Sequence, residues 1–199
     1  MKYLVILFLF SYLPIYGQTY RQQIEKHIES YKQDFLNDER SPLKAEDLKD
    51  LHFFKIDESY CIRAKIELLP LDKILKIPTS GGQAKQFYRY AKATFNLKGK
   101  TFQLTLFKSE IPYNHPKYKD LLFLPFTDET NSLTTYGGGR YIDVYLTDIK
   151  DGWLTIDFNK AYNPYCAYTH GYQCPIPPEE NDLAVAIKAG EKLFTGKKN

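Results

Sequence analysis

The side chains able to do chemistry are concentrated between Leu121 and Glu191. Thr135-Tyr136-Gly137-Gly138-Gly139-Arg140 joins a glycine run to an arginine. Glycines at Gly138 and its neighbours let the backbone take positive φ and bring bare N–H groups close to a ligand. Arg140 offers a planar fork suited to carboxylate or phosphate, with Tyr136 beside the run. A phosphate loop of the NTPase type is excluded, because no G-K-[ST] follows and the run leads into a strand pattern. The competing reading is a tight bend at a sheet corner, with Arg140 paired internally to Asp128 or Asp157. Downstream, Asp157-Phe158-Asn159 and Tyr162-Asn163-Pro164 end a strand pattern in a turn. Asp and Asn in such places bond their own backbone and shape loops, or supply a site carboxylate. The expected ligand-binding set is therefore Asp128, Tyr136, Gly138, Arg140, Asp157, Asn159, Tyr162 and Asn163. Its geometric premise is that Arg140 opens one strand and Asn159 closes its hairpin partner, at one end of the sheet.

Cys166 and Cys174 flank His170 as Cys-x3-His-x3-Cys. This spacing allows a zinc site short of a fourth ligand. It also allows a disulfide, the commoner state of paired cysteines in an exported protein. No further metal-ligand cluster and no cofactor motif stands in the sequence. G-x-S-x-G and H-E-x-x-H are absent, which removes the common hydrolase and zinc-protease signatures. Cys61 is the odd cysteine, on a charged strand face, where a shielded thiol is expected.

These groups need a scaffold, and the 199-residue length suits one domain. A net charge of +3 gives no reason to expect a nucleic-acid partner. Lys2 followed by the apolar run Tyr3 to Leu13, with Pro14 and Gly17 behind it, reads as a signal peptide over residues 1–17. The run is too short to span a bilayer, so no transmembrane span is expected after cleavage. The mature chain, 18–199, is expected as a single globular domain exported to the periplasm or beyond.

Aromatic content of 16%, mostly Tyr, favours pleated surfaces. One helix is predicted, over 19–37, with Thr19 and Gln22 as a capping box and Ile24, Ile28, Tyr31 and Phe35 as its apolar stripe. A short helical turn follows Ser41-Pro42. Period-two alternation then predicts strands over 52–56, 60–66, 86–97, 101–108, 140–147 and 153–158, with a buried apolar strand over 121–126. Leu183, Val185 and Ile187 suggest a last strand. Asn96–Lys100 and Asp151-Gly152 read as hairpin turns, Pro78–Gly82 as a turn, and 111–119 as a loop. About eight or nine strands without a βαβ rhythm imply a mainly β, α+β fold. The expected form is an antiparallel sandwich or barrel-like sheet with the N-terminal helix packed on it.

YGGGRY, DFNKAYNPYCAY, CPIPPEEN and AGEK, in this order, resemble the bacterial family called domain of unknown function 1684. PTSGG, FYRYAKATFNLKGK and LFLPFTDETNSLTTY upstream extend the resemblance over about residues 41–192. A glycine is expected after Thr130-Asn131, where this sequence has Ser132. The resemblance implies one domain with a shared polar centre and names no substrate. Two readings stand. One is a non-catalytic module of the cell envelope binding a small molecule or an anionic ligand. The other is a hydrolase-type enzyme using Asp128 or Asp157 as a base, with Arg140 and backbone amides stabilising an anion.

Overall fold

The computed structural model describes residues 18–111 and 118–198. The expected signal segment lies outside the described residues, as does most of the expected loop at 111–119. Eight strands follow one helix: α1 (Tyr20–Asn37), β1 (Cys61–Leu68), β2 (Ile74–Pro78), β3 (Ala84–Leu97), β4 (Lys100–Ser109), β5 (Leu121–Asp128), β6 (Arg140–Tyr145), β7 (Trp153–Asp157) and β8 (Asp182–Leu183). The sheet runs β6-β5-β4-β3-β1-β7, with β2 on β3 and β8 on β5. Every pairing is antiparallel except β5–β8. This mainly β sheet curls into a half-barrel with α1 packed on it.

Alternation builds the concave core. Ile62 and Ala64 of β1, Ala93 and Phe95 of β3, Leu122 and Leu124 of β5, and Leu154 and Ile156 of β7 all point into one apolar cluster. The β3–β4 hairpin closes through Lys98-Gly99, both at positive φ (51° and 77°), the twist that a two-residue hairpin turn needs. A register shift between Arg89 and Ala91 lets β3 bury Phe87 on the outer face, where it packs with Ile77 and Phe107 in a separate small cluster. α1 begins on the Thr19–Gln22 capping box and buries Ile24 and Phe35. Burial of each contributes on the order of 2 kcal/mol.

Asn181 repairs a gap in the sheet. Pro125 has no N–H to give the ladder. The Asn181 side chain accepts from Thr105 N at 2.7 Å and donates to Thr105 O at 2.9 Å and to Pro125 O at 2.7 Å. One fully buried amide thus ties β4 to β5 where backbone pairing is limited to Phe107 and Phe123.

Four expectations are corrected. β6 and β7 are not hairpin partners: β6 pairs with β5 and β7 with β1, so they form the two edges of the sheet. Asp151-Gly152 does turn the chain, but closes only the Lys150–Trp153 bridge. Residues 52–56 form a single bridge, Phe53 with Glu191, because their neighbour is an irregular segment bent at Gly190 (φ 75°). The last strand is two residues long and parallel to β5; beyond Leu183 the backbone N–H of Ile187 turns to the Asp128 carboxylate. β2 was missed, since its five residues contain a lysine and end in Pro78.

Candidate functional site

Arg140 opens β6 and Asp128 closes β5, so antiparallel pairing brings the two side chains together. The Arg140 Nη2 to Asp128 Oδ2 distance is 2.8 Å and both side chains are fully buried. Arg140 also donates to the carbonyls of Ile187, Ala189 and Glu191, and its guanidinium lies 5.2 Å from the Phe126 ring centre. Asp128 Oδ1 accepts from Thr130 N, Thr130 Oγ and Ile187 N. Burial pushes the Arg140 pKa down, and the Asp128 carboxylate opposes that shift. This pair locks the 187–191 segment under the sheet and presents no surface to solvent. The geometry matches the reading of Arg140 paired internally to Asp128.

The glycine run is the bend that makes the lock. Gly139 has φ 84°, and a Cβ there would meet Pro177 Cγ at 2.5 Å and the Phe126 carbonyl at 2.7 Å. Its N–H bonds the Tyr136 carbonyl, so it serves the turn. At Gly138 a Cβ would strike the Tyr136 ring at 2.5 Å, so ring and backbone are in close contact there.

Asn163 leads to a group the sequence reading missed. Its backbone N–H bonds Glu191 Oε2 at 2.8 Å, while the hydroxyls of Tyr31 and Tyr168 donate to Glu191 at 3.0 and 2.7 Å. Glu191 is fully buried, and burial lifts its pKa from 4.5 to about 7 against the pull of those donors. The AGEK motif of the family resemblance was the available signal. The Tyr162 ring packs on Tyr31, with centres 5.9 Å apart, and its hydroxyl donates to Asp143 Oδ1 at 2.7 Å.

Asp157 and Asn159 belong to a separate knot at the start of α1. Asp157 Oδ1 accepts from Tyr20 Oη at 2.9 Å, from Asn159 N at 3.0 Å and from Asn159 Nδ2 at 3.1 Å. Asn159 grips the Asp57 backbone in both directions, accepting from its N–H and donating to its carbonyl. Tyr20, read from sequence only as part of a helix, is thus the link that fixes the first turn of α1 to the end of β7.

A cleft of about 480 Å³ opens beside this knot, between the facing edges β6 and β7 and beneath α1. Tyr20, Cys61, Asp143, Thr155, Asp157 and Lys160 are among its lining residues. Of the expected site residues, Asp157 lines it directly and Tyr162 reaches it through Asp143. Burial and then Asp157 push the Cys61 thiol pKa up, which keeps it protonated and a poor nucleophile. Cys166 and Cys174 are bonded to each other, with Cα atoms 6.3 Å apart, so the zinc reading loses its thiolates. Cys61 is the free cysteine.

The family model described as protein of unknown function (DUF1684) matches residues 46–192. The chain belongs to this family. Its helix α1 lies ahead of the matched region. Among solved structures, the solution NMR structure of an uncharacterised protein of Haloarcula marismortui is similar, with a TM-score of 0.65 and 31% identity over 85% of this chain and 94% of that one. No curated protein matches the sequence. The glycine expected from the DUF1684 resemblance falls at Ser132, which adopts φ 61°. That is the backbone conformation glycine takes without strain.

Proposed function

We propose that this DUF1684 protein is a non-catalytic module of the cell envelope, working as one domain over residues 18–199, that binds a small molecule between β6 and β7. The observation that carries this reading is the open cleft of mixed polar and apolar lining beside Asp157, set against the closed packing of Arg140 and Asp128. Its volume lies within the range of small-molecule sites. Asp143, Asp148 and Asp157 line it together with Lys150 and Lys160, a mixture that suits a compact ligand carrying hydrogen-bond donors. The hydrolase alternative has less support. Its anion-stabilising arginine is bonded to one proposed base, and the other, Asp157, already holds three hydrogen bonds on one oxygen.

Export is supported by the Lys2-led apolar run, and the Cys166–Cys174 disulfide is compatible with it. Among the described residues no helix is long and apolar enough to cross a membrane. A mature start at Gln18 in the exported fraction is the expected mass-spectrometric result. An intact Met1 there would overturn the export claim.

Native mass spectrometry of protein isolated from its host tests the binding claim. Thr155 is exposed on β7 and lines the cleft, so Thr155→Trp fills the space without touching the core. The wild type should retain a small-molecule mass that the variant loses at unchanged melting temperature. A retained mass of equal occupancy in both would place the ligand elsewhere and refute the proposal.

A further inference from the structure

The first turn of α1 has a cleft on each side. Tyr20 lines the one between the sheet edges, and Arg21 lines a second one of about 620 Å³. Lys55, before β1, and Lys188, in the C-terminal segment, enter this second cleft from two further elements, over a floor that includes Phe54 and Tyr60. Two more lysines lie against its aromatic lining residues. Lys98 Nζ lies 5.1 Å from the Tyr60 ring centre and Lys192 Nζ lies 5.6 Å from that of Phe54.

The ion pairs among the described residues are Arg40–Asp38, Arg89–Glu180, Lys119–Asp120 and Arg140–Asp128. None of them uses any of these five cations. The two carboxylates in the cleft wall are Asp57 and Glu58. Asp57 Oδ1 is turned to the Ser59 N–H, closing the local turn, and its pKa is held down first by the Ser59 hydrogen bonds and then by Lys98 and Lys55. Like charges gathered on separate elements repel one another, and an anion seated among them relieves that repulsion. Asn159 fixes the geometry by clamping the Asp57 backbone from both sides.

We propose that the cleft formed by Arg21, Lys55 and Lys188 is an anion site for a phosphate-bearing ligand whose apolar part lies on Phe54 and Tyr60. This site is distinct from the cleft between β6 and β7 and stands or falls independently of it. Guanidinium and ammonium groups together suit an oxyanion with several oxygens. The phosphate can belong to a soluble molecule or to a lipid headgroup.

The test is an amide NMR titration of the mature protein with inorganic pyrophosphate, beside co-sedimentation with phosphatidylglycerol-containing vesicles and with pure phosphatidylcholine vesicles. Lys55→Glu with Lys188→Glu is the variant; both side chains are exposed, so the fold is retained and an unchanged melting temperature checks it. Pyrophosphate should shift the amides of residues 54–58 and 188 saturably, with affinity falling as salt rises. The double variant should bind about tenfold more weakly or worse. Variant-sensitive recruitment to phosphatidylglycerol vesicles would assign the phosphate to a lipid. Its absence, with the titration intact, would assign it to a soluble ligand. No saturable shift at these residues and no vesicle recruitment, or equal binding by the double variant, would overturn the proposal.

Discussion

Glu191→Gln should make the protein more stable above neutral pH and leave it unchanged in acid. In the wild type the carboxyl is fully buried with a pKa raised from 4.5 to about 7. The fold therefore holds a proton that the unfolded chain releases. The Glu191 contribution to stability is complete below about pH 4.5 and is lost as pH rises through about 7. A shift from 4.5 to about 7 at about 1.4 kcal/mol per unit amounts to roughly 3 kcal/mol. Glutamine is isosteric and uncharged. Its oxygen can take the Oε2 position, accepting from Asn163 N–H and Tyr31, while its amide donates to the Tyr168 hydroxyl. Tyr168 can then donate to Tyr31, 2.9 Å away. Urea unfolding of both proteins in steps from about pH 4.5 to 8.5 measures the effect. His27, whose pKa is pushed down by burial and by Lys160, contributes equally to both and cancels in the difference. The variant's advantage should grow from near zero to about 3 kcal/mol across that range. A difference that does not change with pH would refute the assignment of a buried, neutralised Glu191.

Three further substitutions probe the scaffold. Arg140→Ala should cost about 3–5 kcal/mol in urea unfolding, because Asp128 is left charged and buried; a loss under about 1 kcal/mol would contradict the locked pair. Asn181→Ala should cost about 3 kcal/mol or more by the same assay, since Thr105 and Pro125 lose buried hydrogen bonds that no strand can replace. Ser132→Gly should raise stability by about 1 kcal/mol by relieving a left-handed backbone at φ 61°, and a fall in melting temperature would argue against strain there.

Elements governed by local rules were readable from the sequence. The capping box placed the start of α1, alternation placed β3, β4 and β6, and a continuous apolar run placed β5, all to within a few residues. Partner choice was not readable in the same way. Alternation in 140–147 and 153–158 shows which side chains share a face, but it is silent on which strand lies alongside. Adjacency in sequence therefore suggested a hairpin where the sheet has its two edges. That error separated Asp157 and Asn159 from Arg140, while the order of β5 and β6 still brought Asp128 to Arg140. Glu191, Asn181 and Tyr20 act through contacts 160, 76 and 137 residues away, and no local pattern encodes such distances.

The proposed ligand is a small molecule held in the cleft between β6 and β7. A crystal structure of protein purified from its own host tests it most directly. Density for a bound molecule is expected within hydrogen-bonding distance of the lining residues beside Tyr20, such as Asp143 or Asp157, with Arg140 and Asp128 still closed on each other. Ordered water alone in that cleft, or a ligand held by an opened Arg140, would contradict it.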